Sequence, residues 1–190
     1  MNKWIDDDAT KDLRLLQGEK VYLRPVEVED AMMYYSTMND PEMRRLTGTQ
    51  AVFSLAGVQS YLERKATDAS SVLLWIGLQD TNELVGDIAL QDIDTTNRNA
   101  NLRIAIGNTD HQGKGYGSEA IRLLLGYGFG ILNLHRIELN VFSYNDRAIH
   151  VYEKVGFVRE GVQRQVLYYN HAYHDSIWMS ILADEFRQQG

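Results

Sequence analysis

Hydrophobic residues form short blocks, or alternate with polar residues, in several segments, and this pattern predicts β-strands. The block 21–24 ends at Pro25, which cannot donate to a strand ladder. Segment 71–79 is rich in apolar and aromatic residues, segment 83–93 has an extended pattern, and a short turn-forming stretch separates them, so they predict a hairpin of two buried strands. Apolar residues at alternate positions of 102–106 predict another strand with one buried face.

Other segments have the spacing of amphipathic helices. Segment 27–38 begins with acidic residues, and segment 54–66 begins with a serine, a residue type favoured as an N-cap. Segment 116–132 carries apolar residues three and four positions apart on one face. Segment 145–154 predicts a short helix that ends at Gly156.

The long helix predicted from residue 116 contains Gly126, Gly128 and Gly130. Each glycine costs about 1 kcal/mol relative to alanine in a helix interior. We therefore expect close packing against a neighbouring element to compensate for these glycines.

Segments 136–143, 157–162 and 173–182 predict the remaining strands, with an aromatic-rich connection between the last two. The order of strands and helices predicts an α/β (α+β) fold, with a mixed sheet and helices on both faces. Residues 1–18 are polar and aperiodic and predict an N-terminal extension, so residues 19–190 form one domain.

Composition limits the classes of function. The chain has 190 residues, a net charge of -7 and no basic cluster, which argues against nucleic-acid binding and favours cationic partners such as amines. It has no cysteine, which excludes disulfides and a cysteine nucleophile. The five histidines lack metal-ligand spacing, so we expect no metal site.

The chain carries no signal for a membrane or for export. It lacks an apolar run of roughly 18 residues, and its first residues form an acidic cluster where a signal peptide needs an apolar core. We therefore expect a cytoplasmic protein without a membrane partner.

The strongest chemical signal is the glycine-rich loop 112–117 (QGKGYG) between a predicted strand and a predicted helix. Glycines let successive backbone amides approach a ligand, the helix N-terminus adds a partial positive charge, and Lys114 adds a cation, so the loop suits a phosphate. A tight strand-to-helix connection is the alternative interpretation. The Walker pattern needs Ser or Thr where Gly115 stands, and the Rossmann spacing differs as well.

Together with segment 145–157 (NDRAIHVYEKVGF), the segment 112–120 resembles the GNAT N-acetyltransferases. The likeness is greatest to the RimJ/RimL-like branch, which includes spermidine acetyltransferases, and a weaker likeness extends over 23–179. The resemblance implies a mixed, mostly antiparallel central sheet. It also implies acetyl-CoA as cofactor and transfer of the acetyl group to a primary amine, such as a protein N-terminus, a polyamine or another small amine.

The same resemblance implies roles for individual residues. Tyr152 would protonate the departing thiolate, and Asn145 would bind the cofactor, although an N-cap role suits Asn145 equally. The strand that would pair with the pantetheine arm consists of Ile104, Ala105 and Ile106. The amides that would hold the pyrophosphate belong to Gln112, Gly113, Lys114, Gly115, Tyr116, Gly117 and Ser118.

The general base is not evident, because Asn101 stands where relatives often have glutamate. Deprotonation of the amine through water or by Glu138 remains open, and a non-catalytic acyl-CoA sensor is the alternative function. An α-amino group has a pKa of about 7.7–8.0, against about 10.4 for a lysine-like amine. An enzyme without the strand glutamate should deprotonate the α-amino group more easily, so we place a peptide N-terminus ahead of a polyamine.

Aromatic residues crowd the C-terminal part of the chain. Three interpretations are open for them: an acceptor pocket, a homodimer contact, or packing within the sheet. The residues concerned are Tyr168, Tyr169, Tyr173 and Trp178, and Trp75 has the same ambiguity.

Overall fold

The computed structural model describes residues 13–107 and 111–188, which form one eight-stranded sheet with helices on both faces. The strands are β1 (Leu16–Gln17), β2 (Val21–Pro25), β3 (Val72–Leu78), β4 (Leu84–Asp94), β5 (Asn99–Ile106), β6 (Arg136–Phe142), β7 (Val158–Tyr169) and β8 (Ala172–Leu182). The helices are α1 (Ala31–Asn39), α2 (Pro41–Thr47), α3 (Leu55–Ala66), α4 (Tyr116–Gly130), α5 (Asp146–Val155) and α6 (Ala183–Arg187).

The strand order is β1-β2-β3-β4-β5-β6-β8-β7. Neighbouring strands are antiparallel except β5 and β6, which are parallel. This architecture confirms the prediction of a mixed, mostly antiparallel sheet with helices on both faces. Leu16 and Gln17, within the predicted extension, pair with β2 at the sheet edge, and residues 1–12 of that extension lie outside the described residues.

Each face of the sheet has its own core, because side chains alternate between the faces along every strand. The apolar side chains on one face, such as Ile88, Leu102 and Ile137, pack with α4 and α5. On the other face, Trp75 packs with Tyr34 of α1 and with residues of α3.

The sheet opens between β5 and β6. Their parallel pairing covers only three positions, from Asn99–Arg136 to Asn101–Glu138. Beyond Asn101, β5 remains paired with β4 as far as Ile106, and β6 remains paired with β8. Two strands that keep their outer partners therefore separate from each other, and β5 has a free inner edge.

Two connections differ from the sequence-based predictions. Helix α1 ends at Asn39, but a further helix that the sequence pattern does not predict, α2, begins at Pro41, because Asp40 caps it by accepting a hydrogen bond from Met43 N at 2.8 Å. Proline is tolerated at the first helical position, where its missing N–H would have no partner.

The predicted aromatic-rich connection before β8 is wrong, since β7 continues through Tyr169. Asn170 and His171 alone form the turn, with φ values of 49° and 63°. Two successive left-handed residues match the twist of a tight hairpin. Tyr168 and Tyr173 consequently form a cross-strand pair with ring centroids 5.0 Å apart.

The glycines of α4 lie in different environments. A Cβ built on Gly128 would be 2.8 Å from Ile137 Cδ1 and 3.3 Å from Leu90 Cδ1, whereas nothing lies within 4 Å of a Cβ on Gly126 or Gly130. The expected compensation by close packing is thus confirmed for Gly128 and wrong for the other two. Helix α4 approaches the sheet most closely at Gly128.

We predict that Gly128→Val lowers the free energy of unfolding by about 1–3 kcal/mol or more, because the added methyl groups overpack the contact with β6. The matched variant Gly126→Val should be neutral or slightly stabilising, since it replaces an exposed helical glycine. Urea unfolding of both variants measures the difference. Equal stability of the two variants would contradict the assigned packing.

Candidate active site

The glycine-rich loop leads into an α4 N-terminus without a side-chain cap. Gly113 and Gly115 have φ values of 77° and 88°, which other residues rarely adopt. Gly115 is the N-cap residue and has no side chain to satisfy the first amides. The first hydrogen bond of the helix runs from Glu119 N to Gly115 O at 3.1 Å. The amides of residues 116–118 precede it, so this helix end suits an anion.

Cationic side chains from two other elements reach the same loop. Lys20, just before β2, donates through Nζ to Lys114 O at 3.2 Å. Arg147, in the first turn of α5, donates to the side-chain oxygen of Gln112. Sequence reasoning missed both residues: Arg147 lies inside a motif segment, but no pattern in the sequence points to Lys20. The loop therefore lies between two cations, which favours a polyanionic ligand.

Glu119 fixes one of these cations in place. Its carboxylate accepts hydrogen bonds from the backbone N–H groups of Glu19 and Lys20, and the Lys20 N–Oε1 distance is 3.1 Å. A carboxylate in the first turn of α4 is also favourable for the helix dipole. The contact ties the chain before β2 to the start of α4 and so holds Lys20 beside the loop.

The free edge of β5 runs directly below this helix end. Gly107 N donates to Val85 O at 2.9 Å, on the β4 side. Backbone groups of alternate residues point to opposite sides of a strand, so those of Ile104 and Ile106 face the opening. A Cβ built on Gly117 would be 3.8 Å from Ile106 Cγ1 and 3.9 Å from Ile104 Cδ1. The loop and the opening are therefore contiguous.

Ala105 differs from its two neighbours. Its side chain is buried on the opposite face of the sheet and lines a cavity there. Its backbone groups point towards β4. The structure thus brings Ile104 and Ile106 beside the loop and places the side chain of Ala105 in the cavity wall.

Helix α5 supplies the two remaining predicted residues. Asn145 is its N-cap and accepts a hydrogen bond from Ala148 N at 3.2 Å, which confirms the capping role. Tyr152 is 7% exposed and packs edge-on against Phe157. Burial raises the pKa of Tyr152 to about 12, although the nearby charge of Arg103 lowers it. The phenol therefore keeps its proton at neutral pH.

A cavity of about 500 Å³ lies on the other face of the sheet, beneath α1, α2 and α3. Its walls are mostly neutral and include three aromatic side chains. The residues that define it are Tyr34, Met38, Met43, Phe53, Tyr61, Arg64, Asp87, Arg103 and Ala105.

An ion pair lies in the cavity wall formed by β4 and β5. Asp87 is 2% exposed and accepts a hydrogen bond from Arg103 Nη2, which also donates to Tyr34 Oη at 3.2 Å. Burial raises the pKa of Asp87, although Arg103 acts in the opposite direction. Sequence reasoning missed this pair, because Asp87 lies inside the otherwise apolar segment 84–90 of β4.

The carboxylate considered as a base has a different partner. Glu138 pairs with Asn101 across the β5–β6 contact, and its Oε2 accepts hydrogen bonds from Arg136 at 3.0 and 2.8 Å. Arg136 also binds Glu160. Glu138 therefore belongs to an ionic cluster.

The C-terminal aromatic residues do not line the cavity. Tyr168 and Tyr173 are exposed. The aromatic walls come instead from α1, from α3 and from residue 53 before α3. Two of these aromatic residues lie in helices that the sequence predicts, which is a signal that the sequence does contain. It points to one cavity only once the structure shows that the helices lie together.

Two classes of site are absent from the residues that the structure describes. Within 13–107 and 111–188, no three His, Cys, Asp or Glu side chains come together as a metal site. No helix in these ranges is long and apolar enough to cross a membrane.

Residues 20–158 match the family described as Acetyltransferase (GNAT) domain. The chain belongs to this family. It is therefore an N-acetyltransferase that uses acetyl-CoA and acetylates an amine, which confirms the predicted enzyme class and cofactor and favours catalysis over a sensor role.

Similar proteins include polyamine and ribosomal acetyltransferases. Spermidine N(1)-acetyltransferase of Escherichia coli (strain K12) is 29% identical over 89% of both chains. The putative ribosomal N-acetyltransferase YdaF of Bacillus subtilis is 34% identical over 58% of this chain and 60% of its own. The structure of Vibrio cholerae spermidine N-acetyltransferase with CoA and spermine has a TM-score of 0.83 and 29% identity, and the match covers 88% of this chain and 98% of that one.

A buried ionic network holds the helical wall of the cavity on the sheet. Asp30, just before α1, accepts hydrogen bonds from Arg24 at 2.8 and 2.9 Å and from Trp75 Nε1 at 2.9 Å. It also accepts one from Glu27 N. Burial alone would raise the pKa of Asp30, but these hydrogen bonds hold it below its usual value. The network links α1 to β2 and β3.

We predict that Asp30→Asn lowers the free energy of unfolding at pH 7 by about 3–5 kcal/mol, because it leaves Arg24 buried without its charged partner. The folded-state pKa lies below the unfolded value of about 3.9. The carboxylate therefore stabilises the fold above about pH 4, and this contribution is lost as pH falls through the folded-state pKa.

Urea unfolding at pH 7 and below pH 4 should show the difference between wild type and Asp30→Asn shrinking in acid. Glu42→Gln, which breaks an exposed ion pair with Arg45, is the matched control and should change stability little. A pH-independent difference for Asp30→Asn would contradict the assignment.

Proposed function

We propose that acetyl-CoA lies across the opening between β5 and β6 and that the amine reaches the thioester from the cavity on the opposite face. One observation carries the proposal: the opening has a helix N-terminus without a side-chain cap on one side and a cavity on the other. A similar arrangement of two ligands is supported by the relative solved with both CoA and spermine.

The proposed cofactor site combines backbone and side-chain groups. Amides of the loop 112–118 bind the pyrophosphate, and Lys20 and Arg147 balance its charge. Backbone groups of Ile104 and Ile106 pair with the pantetheine arm, and Ala105 forms the wall on the acceptor side. Asn145 caps α5 and, in this proposal, also contacts the pantetheine arm.

In the proposed reaction the amine nitrogen attacks the thioester carbonyl carbon directly. The new C–N bond forms, a tetrahedral oxyanion collects charge near a β5 backbone N–H, and the C–S bond then breaks. The amine nitrogen loses one proton and the CoA thiolate gains one, so the number of protons is unchanged over the reaction. Tyr152 donates to the departing sulfur, and its raised pKa keeps it protonated until then.

The acceptor is proposed to be a peptide α-amino group rather than a polyamine. Asp87 is paired with Arg103 and Glu138 with Arg136, so neither of these two carboxylates is free to assist an amine of high pKa. The spermidine acetyltransferases among the relatives support a polyamine, and YdaF supports a protein N-terminus. The cavity lining supports the α-amino group in this proposal, because its charge does not suit a polycation.

Self-association is also proposed. The outer strand β7 leaves Val158, Val162 and Val166 more than half exposed, and unpaired edge strands readily pair with another chain. A relative from Vibrio cholerae was solved as a dodecamer. We also propose that the enzyme is cytoplasmic, as the sequence predicts.

We predict that Gly117→Val weakens CoA binding at least tenfold, or about 1.4 kcal/mol, because its side chain fills the space between the loop and the β5 edge. Gly115 is less suitable for this test, since its left-handed backbone would strain any substitute. Calorimetric titration with CoA measures the effect. Gly126→Val, on the exposed side of the same helix, should bind CoA as the wild type does, and unchanged affinity in folded Gly117→Val would refute the loop assignment.

We predict that Tyr152→Phe retains fold and CoA affinity but lowers kcat by roughly 10²-fold or more, because only the phenolic proton is lost. Thiol release from acetyl-CoA with a panel of peptides and polyamines measures turnover. Since the pKa of Tyr152 is about 12, the wild-type kcat should not fall on the alkaline side until pH approaches that value. Tyr127→Phe on α4 is the control, and equal turnover by the wild type and Tyr152→Phe would exclude the phenol as the acid.

A further inference from the structure

The ionisable side chains that line the cavity are two arginines and one aspartate, Arg64, Arg103 and Asp87. Their formal balance is one positive charge. The remaining lining residues are aromatic, apolar or hydroxyl-bearing. The chain carries a net charge of -7, so the cavity has the opposite sign from the protein as a whole.

The one carboxylate among these residues is not available to a cationic ligand. Asp87 is 2% exposed and already binds the guanidinium of Arg103. A second cation would have to compete with this contact inside the protein, where like charges repel strongly. The cavity therefore lacks the acidic surface that a polyamine with several ammonium groups requires.

Arg103 retains the capacity to bind an anion. Its side chain is 31% exposed, and the hydrogen bonds that Asp87 and Tyr34 accept from it both come from Nη2. A guanidinium has five N–H donors arranged as a fork that matches a carboxylate or phosphate. Asp87 and Tyr34 hold one branch of the fork, which fixes its orientation in the cavity wall.

The position of Arg103 connects it to the proposed chemistry. Arg103 lies one strand position before Ile104, whose backbone faces the opening. The charge of Arg103 also acts on Tyr152, where it offsets part of the rise in pKa that burial causes. Arg64, exposed in the last turn of α3, supplies the second cation of the lining. An anionic group on Arg103 would therefore bind near the reacting amine.

We infer that the acceptor is a primary amine on a molecule with an anionic group, a carboxylate or a phosphate, close to the amine, and that Arg103 binds this group. Asp87 acts as a positioning residue for Arg103. The inference rests on the proposed function and narrows its acceptor class. The anionic group only binds: the amine still forms the C–N bond, and CoA still leaves as the thiol.

Matched acceptor pairs test this inference through thiol release. The amidated peptides Ser-phosphoSer-Ala and Ser-Ser-Ala differ in a phosphate, and the amidated peptides Ser-Asp-Ala and Ser-Asn-Ala differ in a carboxylate. We expect kcat/KM to be at least tenfold higher for the anionic member of one or both pairs, and the pair that responds identifies the anion. Spermidine should be poorer than the preferred anionic acceptor.

Variants assign the preference to Arg103. Arg103→Gln should reduce the anionic-to-neutral kcat/KM ratio at least tenfold, mainly through KM. Because this change leaves Asp87 buried without its partner, the double variant Asp87→Asn/Arg103→Gln provides a neutral pair and should show the same loss. Arg64→Gln removes one positive charge from the lining without breaking the pair and should reduce the ratio less. CoA affinity reports that each variant is folded.

The possible failures are distinct. Turnover with a ratio near one in both pairs, or an unchanged ratio in the double variant, would overturn this inference and leave the proposed function in place. A preference for spermidine would overturn both this inference and the proposed peptide acceptor. Binding of CoA without turnover of any amine would overturn the proposed acceptor route and this inference with it.

Discussion

The site depends on the early end of the parallel pairing between β5 and β6. Each strand keeps a full antiparallel ladder on its outer side, so the two can separate without losing the sheet. Buried backbone groups need partners, and the inner edge of β5 beyond Asn101 has none from β6. A ligand with amide groups can supply them. The loop follows β5 and α5 follows β6, which brings two distant motifs to one opening.

The parts of the site that sequence could predict are those set by local chemistry. The glycines at 113 and 115 occupy left-handed backbone positions, and the apolar spacing of α4 and the cap at Asn145 follow from neighbours in sequence. Asp87 is different, because an acidic residue in a strand carries no sign of its partner. Its pairing with Arg103 requires the β4–β5 register, and its burial requires three helices from a distant segment.

Net charge and local charge lead to different conclusions about the acceptor. A chain of charge -7 attracts cations at long range, but exposed charges are screened beyond about 8 Å at physiological ionic strength. Inside the cavity the nearest groups decide, and there the single carboxylate is already paired. The net charge of the chain therefore affects how ligands approach the surface, while the Asp87–Arg103 pair affects which ligand charge suits the cavity.

Arg103 lies on the proposed acceptor side of the sheet, and its charge also acts on Tyr152, the proposed proton donor. Burial raises the pKa of Tyr152, and the charge of Arg103 offsets part of this rise. An anion bound to the guanidinium would cancel part of that effect, and the phenol would then hold its proton more firmly while the acceptor is bound. A more tightly held proton disfavours early ionisation of Tyr152, but it leaves the O–H able to donate to a sulfur that becomes negative. In the proposed site, acceptor binding and proton donation would thus be coupled electrostatically through one side chain, Arg103.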